Sequence, residues 1–246
     1  MSEPLIQVTG LTMGWDDVVL QRDATFHVDR GEVFAILGGS GCGKSTLLRC
    51  LIGLETPMGG EISIAGLGHP NLEAGRPPFG VMFQSGALFG SLTVGENVGL
   101  QLEEWTKLPH EAIGAIVRAK LKLVGLDGAE NTLPSEISGG MKKRAAIARA
   151  MALEPDLLFL DEPSAGLDPV SAVELDDLIL TLNEVLGLTV VLVTHELPSI
   201  LKIAKRCIML DKETQSIIAA GDPRELREDG TVARVHEFFN RLARAN

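Results

Sequence analysis

The chain predicts an α/β fold: a mixed sheet whose strands alternate with helices, preceded by an antiparallel hairpin and interrupted by an inserted helical block. Three observations carry this. A short apolar run, "EVFAIL" (32–37), ends in a glycine-rich loop and passes straight into a helical pattern, "STLLRCLIGL" (45–54), as a buried parallel strand feeding a helix would. From residue 93 to 151 the apolar period is mostly helical. After that, strand-like and helical segments alternate again.

Taken in order, residues 5–13 and 18–28 alternate apolar and polar and read as antiparallel strands joined by a turn at 14–17. "GEISIAG" (60–66) and "FGVMFQ" (79–84) read as two further strands, separated by a Gly/Pro/Asn-rich loop. The helical block contains "TVGENVGLQLEEW" (93–105), "PHEAIGAIVRAKLKLVGL" (109–126) and "GGMKKRAAIARAMAL" (139–153). Pro109 suits a first helical turn and Gly125 a helix end. The returning alternation is "DLLFLD" (156–161), "VSAVELDDLILTLNEVLG" (170–187), "LTVVLVTH" (188–195) and "ELPSILKIAK" (196–205). "RCIMLD" (206–211) and "SIIAAG" (216–221) read as a closing pair of strands, and "TVARVHEFFNRLARAN" (231–246) as a short amphipathic helix.

Composition narrows the function. The 246 residues are 45% hydrophobic and 22% charged, ordinary for a soluble globular protein with ample core. A net charge of −11 argues against nucleic acid as the main partner and against direct binding to an anionic lipid surface. Tyrosine is absent and aromatics make up 4%, so base-stacking platforms are scarce. Cys42, Cys50 and Cys207 are too scattered for a disulfide framework or a zinc site, so a reducing compartment is expected. Neither a signal peptide nor an 18-residue uncharged apolar run is visible.

Gly38-Gly39-Ser40-Gly41-Cys42-Gly43-Lys44-Ser45 fits G-x4-G-K-[ST], the Walker A phosphate loop, between a strand and a helix. Glycines let successive backbone N–H groups point inward around a polyphosphate, and the helix N-terminus adds partial positive charge. Lys44 is placed to reach the β- and γ-phosphates, Ser45 to ligate Mg²⁺, and Thr46 to contact a neighbouring phosphate oxygen. The bland reading is a glycine-rich turn that binds nothing; the register of Gly38, Gly43 and Lys-Ser-Thr weighs against it. "LLFLDEP" (157–163) delivers Asp161 and Glu162 to the C-terminal edge of a buried strand, where α/β sheets bind ligands. Asp161 is placed to hold Mg²⁺ and Glu162 to orient an attacking water; a merely acidic strand end is the alternative.

The stretch "ISGGMKKRAAIARAMALEPD" (137–156) resembles the signature motif of ABC-type ATPases. Ser138, Gly139 and Gly140 at a helix start form a second anion site. Further positions resemble the same family. Gln84 matches the Q-loop glutamine, which senses Mg²⁺. Asp168, in "AGLD" (165–168), matches the D-loop that touches a partner subunit. His195 matches the switch histidine at the γ-phosphate, although a lone histidine at a strand end is usually structural. Trp15 stands where the family stacks an aromatic on adenine; a partly buried turn tryptophan is the alternative. Met141 departs from the Gln or Glu common at the fifth signature position, and Lys142-Lys143-Arg144 follows it.

The resemblance covers the chain to about Gly221. It implies a P-loop NTPase, an ABC-type nucleotide-binding domain (1–221) with a RecA-like core (1–84 and 155–221), an N-terminal antiparallel β subdomain, an inserted α-helical subdomain (85–154) and a C-terminal helical extension (222–246). It also implies ATP and Mg²⁺ as ligands and a head-to-tail homodimer in which one chain's signature completes the other's phosphate loop. Glu162, His195 and Lys44 would carry hydrolysis. Residues 82–109 and 138–169 further resemble the ATPase subunits of MCE-associated (Mla, maintenance of lipid asymmetry) phospholipid transporters, in which Met at the fifth signature position is common. Such an ATPase would lie on the cytoplasmic face of an inner membrane, with integral permease subunits, an MCE lipid-binding protein and sometimes a STAS-domain protein. The alternatives are an importer ATPase for a small polar solute, a soluble non-transport ABC protein and a nucleotide-binding regulator without turnover. In the tail, Val232, Val235, Phe238, Phe239 and Leu242 form an apolar stripe that packs on its own domain or clasps a partner.

Overall fold

The computed structural model describes residues 4–65, 68–72 and 75–240. The chain divides into two compact units: Met1–Pro77 with Thr189–Asn246, and Pro78–Leu188.

The first unit holds two β layers. Strands β1 (Ile6–Trp15) and β2 (Val18–Val28) form the expected hairpin, and β4 (Gly59–Ile64) adds to the other edge of β1 in the order β2-β1-β4. The hairpin strands run closer to the tip than the sequence suggests: Trp15 still pairs with Val18, leaving only Asp16 and Asp17 to turn. Asp16 takes φ 48°, a left-handed conformation that Asp tolerates better than most residues. Strand β3 (Val33–Gly38) is buried at every position. It lies parallel to β7 (Thr189–Val193) on one side and to β8 (Arg206–Asp211) on the other. This explains the uninterrupted apolar runs, since a parallel strand covered on both faces has no polar side. Strand β9 (Ser216–Gly221) closes the edge antiparallel to β8. The start of β3 is pinned by Phe34, which stacks on Phe26 at 5.8 Å, and by Arg206, which lies 5.7 Å from the Phe34 ring. Arg206 also pairs with buried Glu32 at 3.1 Å.

Helices α1 (Lys44–Leu51), α6 (Leu197–Ile203), α7 (Pro223–Glu228) and α8 (Ala233–Phe239) complete this unit. The end of the predicted strand at Gly66 lies outside the described residues, as do Leu242 and the rest of the tail beyond 240. Of the predicted tail stripe, Val235, Phe238 and Phe239 are buried, and Val232 is exposed. Arg234 ties α8 back to the β8–β9 turn through Asp211, at 2.6 Å, and Glu213.

The second unit pairs β5 (Gly80–Met82) in parallel with β6 (Leu157–Asp161). Around them lie α2 (Val94–Trp105), α3 (His110–Leu123), α4 (Gly139–Ala150) and α5 (Pro169–Leu186). Local chemistry sets their boundaries. Thr93 and Glu96 form a reciprocal capping box at the start of α2. Gly187, at φ 67°, ends α5. Strand β5 is shorter than the apolar pattern suggests, so Phe83 and Gln84 lie beyond it with exposed side chains.

Candidate functional site

In the first unit, β3 delivers the chain to the loop at Gly38 with φ 147°. A Cβ there would stand 2.5 Å from both the Leu210 carbonyl oxygen and Cys42 Sγ, so only glycine lets the loop lie against β8. The loop runs through Gly39, Ser40, Gly41 and Cys42 to Gly43, which caps α1 in a left-handed conformation at φ 102°. Met13 and Leu20 of the hairpin would approach a Cβ on Gly43 to 3.1 and 3.3 Å, so the hairpin packs directly on the loop. Lys44 Nζ donates to the carbonyls of Gly38 and Gly39 at 2.9 and 3.1 Å. The ammonium therefore stands over the loop itself. Ser45 is exposed in the first turn of α1 and Thr46 is buried behind it. Burial pushes the Cys42 thiol up from its usual range, while the Lys44 charge acts in the opposite direction.

The loop's shape has a support that sequence reading missed. Gln21, completely buried in β2, donates from Nε2 to the Cys42 carbonyl and to the Asp211 carbonyl, both at 2.9 Å. One amide thus fastens the phosphate loop and the end of β8 to the hairpin. Alternation carried back from Val28, Phe26 and Ala24 would turn Gln21 outward; a register shift between Ala24 and Gln21, with Asp23 at φ 51°, reverses the phase and brings it inward, so the pattern gave no signal for it. In the same unit, Trp15 is 49% exposed at the hairpin tip. His195 follows β7 with its side chain exposed, its Nε2 3.5 Å from Glu196 Oε1.

In the second unit, β6 ends at half-buried Asp161, followed by buried Glu162. Glu162 adopts φ 45°, a left-handed conformation that costs a non-glycine residue about 1–3 kcal/mol. Gln84 follows β5 on an exposed loop. Ser138 is the N-cap of α4: its Oγ accepts from the Met141 N–H at 3.2 Å. A Cβ on Gly139 or Gly140 would meet Leu167 Cδ2 at 3.6 Å and Ser171 Cβ at 3.5 Å, so the helix start lies close to the segment leading into α5. Asp168 is the N-cap of α5, accepting from the Val170 and Ser171 N–H groups at 3.1 and 3.0 Å. Hydrogen bonds from Ser171 hold its carboxyl below the usual carboxylate range.

The basic run after Met141 splits three ways. Lys142 is half-buried. Arg144 pairs with Glu174 at 2.8 Å. Lys143 turns inward and is only 7% exposed, its Nζ donating to the Gln84 carbonyl and, at 3.1 Å, to the Glu162 carbonyl. Burial lowers its pKa, while the carboxylates of Asp161 and Glu162 act in the opposite direction. Further along α4, buried Arg149 donates to the carbonyls of Ala87 and Gly86 at 2.7 and 2.8 Å. Composition alone would put these cations on the surface; their spacing of six residues along α4, between apolar positions, was the only hint.

Within each unit, then, the predicted residues gather. Gly38–Thr46 form one loop and helix start, and Gln84 shares Lys143 with Glu162, which adjoins Asp161. In the second unit, the oxygen donors on Gln84 and Asp161 are of the kind that a hard cation such as Mg²⁺ takes, as is the Ser45 hydroxyl in the first. Among the described residues no helix is long and apolar enough to cross a membrane.

Comparison with known proteins agrees with this chemistry. Residues 21–165 match the family model of the ABC transporters. The chain is 42% identical over 244 residues to the intermembrane phospholipid transport system ATP-binding protein MlaF of Haemophilus influenzae, covering 97% of this chain and 91% of that protein. It is 45% identical over 195 residues to the probable ribonucleotide transport ATP-binding protein mkl of Mycobacterium leprae, covering 77% of this chain and 56% of that one. A solved dimer of the ATP-binding cassette MJ0796, in a post-hydrolysis state bound to ADP and Pi, superposes with a TM-score of 0.77 at 28% identity, covering 88% of this chain and 98% of that one. The family model, and the extent and identity of the match to an ATP-binding relative, agree with a glycine loop after β3 and carboxylates at the end of β6, and the chain belongs to the ABC transporter family as an ATP-binding, ATP-hydrolysing subunit.

Proposed function

We propose that the chain powers the movement of phospholipid, or a comparable hydrophobic molecule, across a cell envelope. The observation that carries this is the 42% identity, sustained over 97% of the chain, to a phospholipid transport ATP-binding protein. The cargo is inferred from relatedness to that protein. The ATPase would work as a head-to-tail homodimer at the cytoplasmic face of the inner membrane. Its helical subdomain (85–154) would receive integral permease subunits, with an MCE lipid-binding protein and a STAS-domain protein as further partners.

In this reading each nucleotide lies between Gly38–Thr46 of one chain and Ser138-Gly139-Gly140 of the other. Trp15 stacks on the base, Lys44 meets the terminal phosphates, and Glu162 orients the water for in-line attack with His195 at the γ-phosphate. Ser45, Gln84 and Asp161 would hold Mg²⁺, which supplies neutralisation of phosphate charge. Asp168 would contact the partner chain while capping α5. Because signature contacts require the γ-phosphate, ATP favours the closed pair and hydrolysis releases it, a population shift driven by differential contact.

The relative with a ribonucleotide transport name supports a second reading, a polar solute as cargo. One experiment separates the two. The chain is purified with its membrane partners, bound small molecules are identified by mass spectrometry, and ATP turnover is measured with each added back. Copurifying phospholipid that stimulates turnover supports the proposal. Stimulation by a nucleotide or another polar solute, with no bound lipid, overturns it.

A further inference from the structure

Glu162 is buried, non-glycine and left-handed at φ 45°, at the point where β6 ends. A residue persists there only when its surroundings fix it, because the extended region is lower in energy by about 1–3 kcal/mol. The direction of its carboxylate depends on that backbone angle. Two of the donors to the Glu162 carbonyl set its place. One is the Ala165 N–H at 3.2 Å, part of the turn itself. The other is the ammonium of Lys143 at 3.1 Å, reaching across from α4.

Lys143 is not needed there by local structure. Its side chain could have stayed in water like that of half-buried Lys142, and burying an ammonium is unfavourable unless its donors are used. Two donors serve carbonyls on two different segments: Glu162, after β6, and Gln84, after β5. Arg149 holds the same loop one step on, at Gly86 and Ala87. The loop after β5 is therefore fastened to α4 at three carbonyls, and α4 begins at Ser138. Lys143 is the point where this assembly touches the backbone of Glu162.

We propose that Lys143 is a positioning residue for ATP hydrolysis: its ammonium fixes the left-handed backbone of Glu162 and couples it to the loop carrying Gln84 and to the helix that begins at Ser138. The proposal rests on the reading of Glu162 as the residue that orients water. Lys143 itself touches no phosphate. Its removal lets the Glu162 backbone relax toward the extended region, so the carboxylate leaves the line of attack while the phosphate loop, in the other unit, keeps its own contacts. The loss falls on kcat and spares nucleotide affinity.

The test uses the full chain with its partners. Lys143→Met keeps the length of the side chain and removes its donors. Expected are a kcat at least tenfold below the parent, a Kd for ATP within about threefold of it by equilibrium binding, and an unchanged far-UV spectrum. Lys143→Arg keeps donors and charge and is expected to restore most of the lost kcat. Where Lys143→Met does not fold, Lys143→Gln is measured against the same criteria. A folded Lys143→Met or Lys143→Gln with parental kcat overturns the proposal, as does one whose ATP affinity falls in step with kcat. Glu162→Gln, run beside it, separates the two failures. A fast Glu162→Gln removes the reading of Glu162 itself, whereas a slow Glu162→Gln with a fast Lys143→Met removes the clamp alone.

Discussion

The phosphate loop and the end of β6 are built by opposite means. The loop is shaped by its own backbone: its glycines admit conformations closed to other residues, and Lys44 folds over its carbonyls from the very next position. The end of β6 presents side chains, and its shape comes from a distant element, with Lys143 and Arg149 of α4 holding the backbone around Glu162 and Gln84. The first arrangement is local in sequence and the second is not. Damage to the loop should therefore appear as lost nucleotide affinity, and damage near β6 as lost turnover.

The largest effects test that division directly. Glu162→Gln is expected to lower turnover by about 10²–10⁴-fold, the usual worth of a positioned acid–base group, while ATP still binds and the closed dimer accumulates. Lys44→Ala is expected to weaken ATP binding, because the phosphates lose their cation. Phosphate release and equilibrium ATP binding, measured on both variants, check the pair. If Glu162→Gln lost affinity and Lys44→Ala lost only turnover, the comparison would be the wrong way round.

A smaller effect is expected at Gln21, where the loop does depend on something remote. Gln21→Met removes both amide donations and leaves the Cys42 and Asp211 carbonyls without them. Burying an acceptor unsatisfied costs about 1–3 kcal/mol. Part of this is offset, because Gln21 Oε1 is itself buried without a hydrogen-bond partner and the substitution removes it. A net loss of about 1–3 kcal/mol in denaturant unfolding, with weaker ATP binding, is the expected outcome. Unchanged stability would mean that the glycines alone set the loop.

The same contrast explains what could be read from the sequence. The phosphate loop was legible because its residues are consecutive and its chemistry is set by residue type: a glycine at φ 147° or 102° is visible as a glycine. The strand–helix alternation was legible because parallel strands buried on both faces give unbroken apolar runs, as in β3 and β7. Gln21 and Lys143 were not. A bulge turns the glutamine inward against the alternation of its strand, and the carbonyls that these two side chains serve lie 21 and 190 residues from Gln21, and 59 and 19 from Lys143. The position of Gln84 beyond the end of β5, and not in it, was likewise not visible in the apolar run, which continues through Phe83.

The smallest expected effect concerns Asp168, where the second unit does use a backbone device: a carboxylate on the N–H groups that open α5. Its pKa is lowered from 3.8 in the folded chain, chiefly by the hydrogen bonds from Ser171. A depressed folded pKa means that the charged cap contributes its full stability above the unfolded value of 3.8 and loses it as pH falls through the lower folded value. Asp168→Asn keeps a capping oxygen and discards the charge, and Asn caps about as well as Asp. What it loses is the attraction between the carboxylate and the positive end of α5, a modest term at an exposed site and one that salt screens. The parent should therefore unfold slightly later than Asp168→Asn near neutral pH, and the two should converge once the carboxyl is protonated, below its depressed folded value. A gap that persists into that acid range would place the difference in hydrogen-bond geometry. A gap absent at neutral pH would show that α5, anchored by buried Leu175, Ile179 and Leu182, does not need the charge.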